Sequence, residues 1–313
     1  MQQINLNSDY KNKYSFKNSK NYDNEKTKQE LLLSSVLGCT LYSVDLFLDS
    51  FVPSLVTVNL LKKMDKVNNF LSASVLEKFE QNFEKAFLKS KLSESGVSVF
   101  KCNDLTKDAQ KIKDNINKKI NGNDMKKLSY FNTVMDFMEK GNSCYTFFNK
   151  TIYVSKNTRL SLFHEMGHAY NHNKTFFAKS LQKLRQLSNY ILVPVSIAAL
   201  LLSTPKIDKK EKESQKTNPT LKWILKAKDT FVKFSPIIVF SSFLPMIIEE
   251  GMASLKGQEF AKNVLDKNMF NKVKYTNLLG FLSYLFIGTF ASLVLWISLK
   301  IKNLILGKYL NKT

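Results

Sequence analysis

The chain has 313 residues, 44% of them apolar, and a mean hydropathy of −0.21. That is enough for a core and one or two domains, and it excludes a disordered or collagen-like chain. The net charge of +21 rests almost wholly on lysine, since Arg159 and Arg185 are the only arginines. Base and phosphate recognition favours arginine forks, so no nucleic-acid partner is expected.

Residues 1–30 are polar and lack an apolar period, which predicts a flexible tail and no secretory leader. From Leu31 to Leu61 the chain is apolar but interrupted by Asp45, Asp49 and Pro53, leaving uncharged pieces of 14 and 12 residues. A span needs roughly 17–25, so helices packed on the domain or lying on a membrane surface are expected. Val67, Phe70, Leu71, Val75, Leu76, Phe79, Phe83 and Phe87 recur at steps of three and four, one stripe of an amphipathic helix within 62–93. Val97–Phe100 alternates like a short strand, and Lys107–Asn121 reads as a polar surface helix. Tyr145–Phe148 and Thr151–Val154 flank Asn149-Lys150 as a β-hairpin with a two-residue turn.

The second half changes character. Residues 186–205, 234–248 and 275–299 carry no charge over 20, 15 and 25 residues. The first two predict a transmembrane hairpin, 186–248, around a Lys-rich loop, 206–233. The third predicts a transmembrane helix, with Tyr275 and Trp296 near its ends. A helix over 249–274 lies between them, and 300–313 forms a basic tail. Cys39, Cys102 and Cys144 have no C-x-x-C spacing, which excludes a disulfide framework or a cysteine metal site and leaves packing as their role. The fold class expected is mainly α with a small β-hairpin or sheet, an α+β domain over 31–185, plus transmembrane helices.

All three histidines lie within nine residues, in Phe163-His-Glu-Met-Gly-His-Ala-Tyr-Asn-His172. His164-Glu165-Met166-Gly167-His168 is an H-E-x-x-H sequence, for which this composition gives on the order of 0.001 chance matches. Residues i and i+4 of a helix lie one turn apart on one face, so both imidazoles can hold one ion at about 2.0–2.1 Å. Glu165, beside the first histidine, reaches the water that zinc activates and takes its proton. Asn157 or Thr158 is placed to cap this helix. Gly167 costs about 1 kcal/mol inside a helix, so a strand or substrate is expected to approach closely there. Zinc hydrolysis needs a third protein ligand and one open position. His172 would sit a full turn beyond the ion, as a helix-end residue. Glu249 and Glu250, directly after the second apolar segment, are better placed, on a second helix that closes a His/His/Glu set.

With these residues the chain resembles gluzincin membrane metallopeptidases, the HtpX and CAAX prenyl protease group and the YugP-type neutral zinc peptidases. In those families H-E-x-G-H precedes a hydrophobic hairpin and then a Glu in E-x-x-A-[DS]. His164–His168 matches the first motif, and Glu250-Gly251-Met252-Ala253-Ser254 the second. The resemblance covers about residues 145–300. It implies a zincin-like α+β catalytic domain, one Zn²⁺ per chain held by His164, His168 and Glu250, and Glu165 as general base. It also implies that Thr151–Val154 is an edge strand that binds an extended peptide. Ser254 stands where HtpX-like members carry Asp, and no downstream histidine is left to stabilise an oxyanion.

Lysine and arginine near the apolar segments number nine on the catalytic side (165–185 and 249–274) and thirteen opposite (206–233 and 300–313). That count leans toward a non-cytoplasmic site; the resemblance implies a cytoplasmic one, and the resemblance is followed here. The function expected is an integral-membrane zinc endopeptidase acting on unfolded or membrane polypeptides, with the bilayer as its other partner. The alternative is a catalytically inactive membrane protein that keeps a structural or vestigial metal site.

Overall fold

A computed structural model describes residues 7–69, 71–185, 187–204 and 219–310. The chain is mostly helical with one small sheet. It divides into two compact units. One comprises Asp49–Ile191 and Phe240–Ala291. The other is built from the stretches before Asp49, between Ile191 and Phe240, and after Ala291.

Helix α1 runs without a break from Asn7 to Asn69. It therefore begins inside the stretch expected as a flexible tail; residues 1–6 of that stretch lie outside the described residues. Nothing from Asn7 to Glu30 opposes a helix, since the stretch holds neither Pro nor Gly. The helix also passes through Asp45, Asp49 and Pro53. Asp45 is buried and accepts a hydrogen bond from the Ser298 hydroxyl, so one of the interrupting charges has a polar partner. Leu31–Val67 is consequently long and apolar enough to cross a membrane, although its uncharged pieces are short.

The stripe expected over 62–93 is split. α2, Ala73–Lys89, starts afresh with Ser72 as its cap, accepting from the Val75 N–H, and buries Phe79, Phe83 and Ala86; Phe70 lies outside the described residues. β1, Ser98–Lys101, follows. α3, Leu105–Lys119, is capped by Asp104, and α4 spans Asp124–Glu139. β2, Cys144–Thr146, and β3, Thr151–Val154, form the expected hairpin, closed by the four residues 147–150 rather than by two. Lys150 takes a positive φ of 49° in that turn. The strand order is β1-β3-β2. β3 pairs in parallel with β1 (Ser98 opposite Thr151) and antiparallel with β2 (Cys144 opposite Tyr153).

This order corrects one expectation. Thr151–Val154 is the buried central strand, hydrogen-bonded on both sides, and has no free edge to offer a peptide. The reason is long-range: Ser98–Lys101, far upstream, occupies the edge that the hairpin alone would leave open.

A 3-10 turn, Lys156–Ser161, leads into α5, Leu162–Lys174, and α6, Phe176–Leu184. Neither Asn157 nor Thr158 caps α5; both fall in the 3-10 turn, and Ser161 stands at the cap position without a side-chain bond. α5 is buried from Leu162 to Ala169. Phe163 anchors it, meeting Phe79 and Phe83 edge-on at 5.6 and 5.4 Å. Ile152, Val154, Met166, Met269 and Val273 complete that core.

The apolar helices differ in extent from the expected spans. α7, Leu187–Leu202, has 16 residues and stops before Ser203–Thr204, while Gln186 and Pro205, the ends of the uncharged run, lie outside the described residues. α8 runs from Pro219 to Lys262 and α9 from Lys267 to Leu310, 44 residues each. The expected 234–248 arm and 249–274 helix are thus one helix up to Lys262, and most of the loop 206–233 lies either in α8 or outside the described residues. Among the described residues three helices are long and apolar enough to cross a membrane: Leu31–Val67, Lys222–Lys262 and Lys267–Tyr309. At 1.5 Å per residue, α8 and α9 are each about 66 Å long, twice a hydrocarbon core of about 30 Å, so neither fits inside one. Of the cysteines, Cys102 is buried, Cys144 is half-buried and Cys39 is exposed, so packing explains only the first two.

Candidate metal centre

The centre lies where α5 and α8 cross. Two glycines let them touch. A Cβ at Gly167 would stand 2.1 Å from the Ala253 carbonyl oxygen, and one at Gly257 would stand 2.3 Å from the Phe163 carbonyl oxygen. The close approach that Gly167 requires comes from the backbone of α8, not from a strand or a substrate. Because the two backbones are in contact, Glu250, one turn before Ala253, lies over the face of α5 that carries both imidazoles.

His164, His168 and Glu250 are buried, and their nearest ligand atoms lie within 4.8 Å of one another. The inner triangle is tighter. His164 Nε2 and His168 Nε2 are 3.1 Å apart, and Glu250 Oε2 lies 3.1 Å from the first and 3.2 Å from the second. An ion with bonds of about 2.0–2.1 Å places the corners of its tetrahedron about 3.3 Å apart. The three atoms therefore make nearly one face of such a tetrahedron, and the fourth vertex is free of protein ligands among the described residues.

The outer atoms of the same side chains are fixed. His164 Nδ1 is 3.1 Å from Ser254 Oγ, and His168 Nδ1 is 3.3 Å from Glu249 Oε1. The Glu249 carboxylate accepts from His168 Nδ1–H, which leaves Nε2 of that ring facing the triangle, and the Ser254 hydroxyl can accept in the same way from His164 Nδ1. Arg185 donates to Glu249 Oε2 at 3.2 Å and to Glu250 Oε1 at 2.9 Å. It thereby ties up one Glu250 oxygen and leaves Oε2 as the single free one. The two acids divide the work: Glu250 joins the triangle, and Glu249 orients His168. Ser254, with a hydroxyl in place of a carboxylate, orients His164. The Tyr284 ring packs beneath the Arg185 guanidinium, 5.7 Å from its centre.

Charge argues in the same direction. Glu165, Glu249 and Glu250 are only 6%, 5% and 1% exposed, and Arg185 is the cation that pairs with the last two. Three carboxylates against one guanidinium leave two buried negative charges, the deficit a divalent cation removes. Without an ion the site answers with protons. Burial pushes the Glu165 carboxyl up, with Glu250 adding to the shift and both imidazoles opposing it. Burial alone would lower His168, but the Glu250 and Glu249 carboxylates outweigh it and hold His168 well above the usual imidazole range.

The Glu165 carboxyl accepts the Tyr145 backbone N–H of β2. A cavity of about 160 Å³ opens beside it, with His164, Glu165, Asn142, Ser143 and the α9 residues Thr276, Asn277, Gly280 and Tyr284 in its wall. His172 takes no part in the triangle. It ends α5 beside the Tyr145 and Phe147 rings, at 6.0 and 5.8 Å, and burial together with Lys179 holds its pKa low. Residue patterns gave no sign of Arg185 or of the α9 wall. Arg185 is one of only two arginines in a lysine-rich chain, and that rarity was the one available signal. Comparison with family models, curated proteins and solved structures finds no match for the chain.

Proposed function

We propose that the chain is an integral-membrane zinc endopeptidase with a zincin-like catalytic unit. His164, His168 and Glu250 hold the ion, and Glu165 is the general base. The observation that carries this reading is the near-tetrahedral triangle of two Nε2 atoms and one Oε2, with a cavity next to it whose wall includes His164 and Glu165. When bound, zinc supplies a water of lowered pKa and polarises the substrate carbonyl. Glu165 takes a proton from the attacking water and returns it to the leaving amine, a role suited to a buried carboxyl held above its ordinary range. The Tyr145 N–H holds that carboxyl in the wall of the cavity. Ser254 and Glu249 keep each imidazole in the tautomer that ligation needs. Arg185 holds Glu250 in place and keeps its second oxygen occupied.

The edge strand nearest Glu165 is β2, and it takes over the peptide-docking role expected of Thr151–Val154. The three membrane-length helices support an integral-membrane setting, and the family resemblance puts the catalytic side in the cytoplasm, with unfolded or membrane polypeptides as substrates.

The test uses the full chain in detergent. One zinc per chain is expected by elemental analysis, together with cleavage of reduced casein that stops on chelation. Glu165→Gln keeps the zinc and loses the cleavage. Equal cleavage by both forms rules out the peptidase mechanism, and zinc without cleavage in either form favours the inactive membrane protein with a structural metal.

A further inference from the structure

The cavity beside Glu165 has a wall that its own chain leaves incomplete. Thr276, Asn277, Gly280 and Tyr284 follow one another on a single face of α9, at steps of one, three and four, inside an otherwise apolar run. Thr276 and Asn277 are each only 2% exposed. Yet the Thr276 hydroxyl and the Asn277 Oδ1 have no hydrogen-bond partner among the described residues. Asn277 is not ambiguous by rotation of its amide. Its Nδ2 donates to the Ser254 carbonyl at 3.4 Å, which fixes Oδ1 as the atom left over. A buried acceptor without a partner is costly, and native sites carry few of them. Next to this pair the wall recedes: a Cβ at Gly280 would meet nothing within 4 Å. The volume of about 160 Å³ is close to that which holds one benzene ring, the size of a single residue.

We infer that this wall of α9 is the subsite for the substrate residue next to the cleaved bond, with Asn277 Oδ1 accepting that residue's backbone N–H. The inference rests on the peptidase reading and adds the ligand class: a peptide with a free amide N–H at that position. The Thr276 hydroxyl supplies a second contact, and the gap at Gly280 admits the backbone itself. An N-alkylated or proline residue at this position has no N–H to donate and is excluded.

The experiment compares amide and ester versions of one peptide. The casein bond that the protein cuts is located by mass spectrometry, and a peptide spanning it is made with single ester replacements flanking the bond. One ester is expected to lower kcat/KM of the wild-type protein about tenfold. The same ester is expected to have no effect on Asn277→Ala, which is already about tenfold slower on the all-amide peptide. Asn277→Asp keeps an acceptor oxygen and restores the ester penalty. Zinc content and gel-filtration profile show whether each variant is folded, and tight binding of the amide but not the ester by Glu165→Gln gives a readout without turnover. An ester penalty of equal size in wild type and Asn277→Ala overturns this inference while leaving the peptidase intact. Absence of zinc and of casein cleavage in the wild type overturns both.

Discussion

Two polar regions sit inside an apolar framework, and they are finished to different degrees. At the α5–α8 crossing each ligand side chain has an outer atom already engaged: Nδ1 of His164 by Ser254, Nδ1 of His168 by Glu249, and Oε1 of Glu250 by Arg185. Only the inner atoms converge on open space. On the α9 wall, Thr276 and Asn277 have outward groups with nothing to bind. In the proposed reading the first region is preorganised by its own chain for an ion, and the second is arranged for a partner that comes and goes. That reading ties a resident cofactor to a saturated supporting shell and a substrate to an unsaturated wall.

The largest effect expected is chemical. Glu165→Gln removes the base and leaves the triangle whole, so casein cleavage should fall by about 10²–10⁴ with zinc content unchanged, as read by peptide release and elemental analysis. Next comes the crossing itself. Gly167→Ala drives a methyl group into the Ala253 carbonyl and should cost about 3 kcal/mol, seen as a lower midpoint in thermal or denaturant unfolding. Gly280→Ala, in open space on the α9 wall, should raise that midpoint slightly, since alanine is favoured over glycine inside a helix by up to about 1 kcal/mol. Equal losses would erase the distinction between the two regions.

Smaller still is the supporting shell. Ser254→Ala and Glu249→Gln should each weaken zinc about 10–100-fold in a competition with a chelating dye. The gentlest probe is pH. Without metal, the folded chain holds the Glu165 and His168 protons to higher pH than the unfolded chain does. In that window the unfolded state binds fewer protons, so metal-free stability falls as pH rises. Zinc replaces both protons, so its gain in melting temperature should grow as pH rises, with proton release detectable by calorimetry in buffers of different ionisation enthalpy. A gain that shrinks with rising pH would contradict the charge accounting of the buried carboxylates.

How legible each region was follows from how local its signal is. His164, Glu165 and His168 are set by one helix turn, and the sequence shows them at once. Glu250 lies 86 residues from His164; its place after the second apolar segment made it and Glu249 candidates, and only a motif resemblance chose between them. Arg185 has no local signature, because an arginine before an apolar helix looks like any flanking charge. Thr276 and Asn277 were counted simply as uncharged, and hydropathy does not distinguish a polar stripe from an apolar face. The continuity of α1 was hidden by Asp45, whose partner Ser298 lies 253 residues away. The central place of β3 was hidden in the same way, because sheet order depends on a strand met long before the hairpin. Length and hydropathy did reveal the membrane-length run of α9, but the uncharged core of α8 is only 15 residues long, and neither core showed that its helix continues well beyond it.

The 86 residues between His164 and Glu250 bear on how the protein is made. At about 5–20 residues per second, a ribosome exposes the histidine pair roughly 4–17 seconds before the third ligand. During that interval the nascent chain offers an ion two neutral imidazoles and no anionic clamp. The triangle is completed only after the apolar segment that ends with α7 and the first half of α8 have been synthesised, so under the proposed function the order of translation itself delays metal loading until those helices are available for insertion.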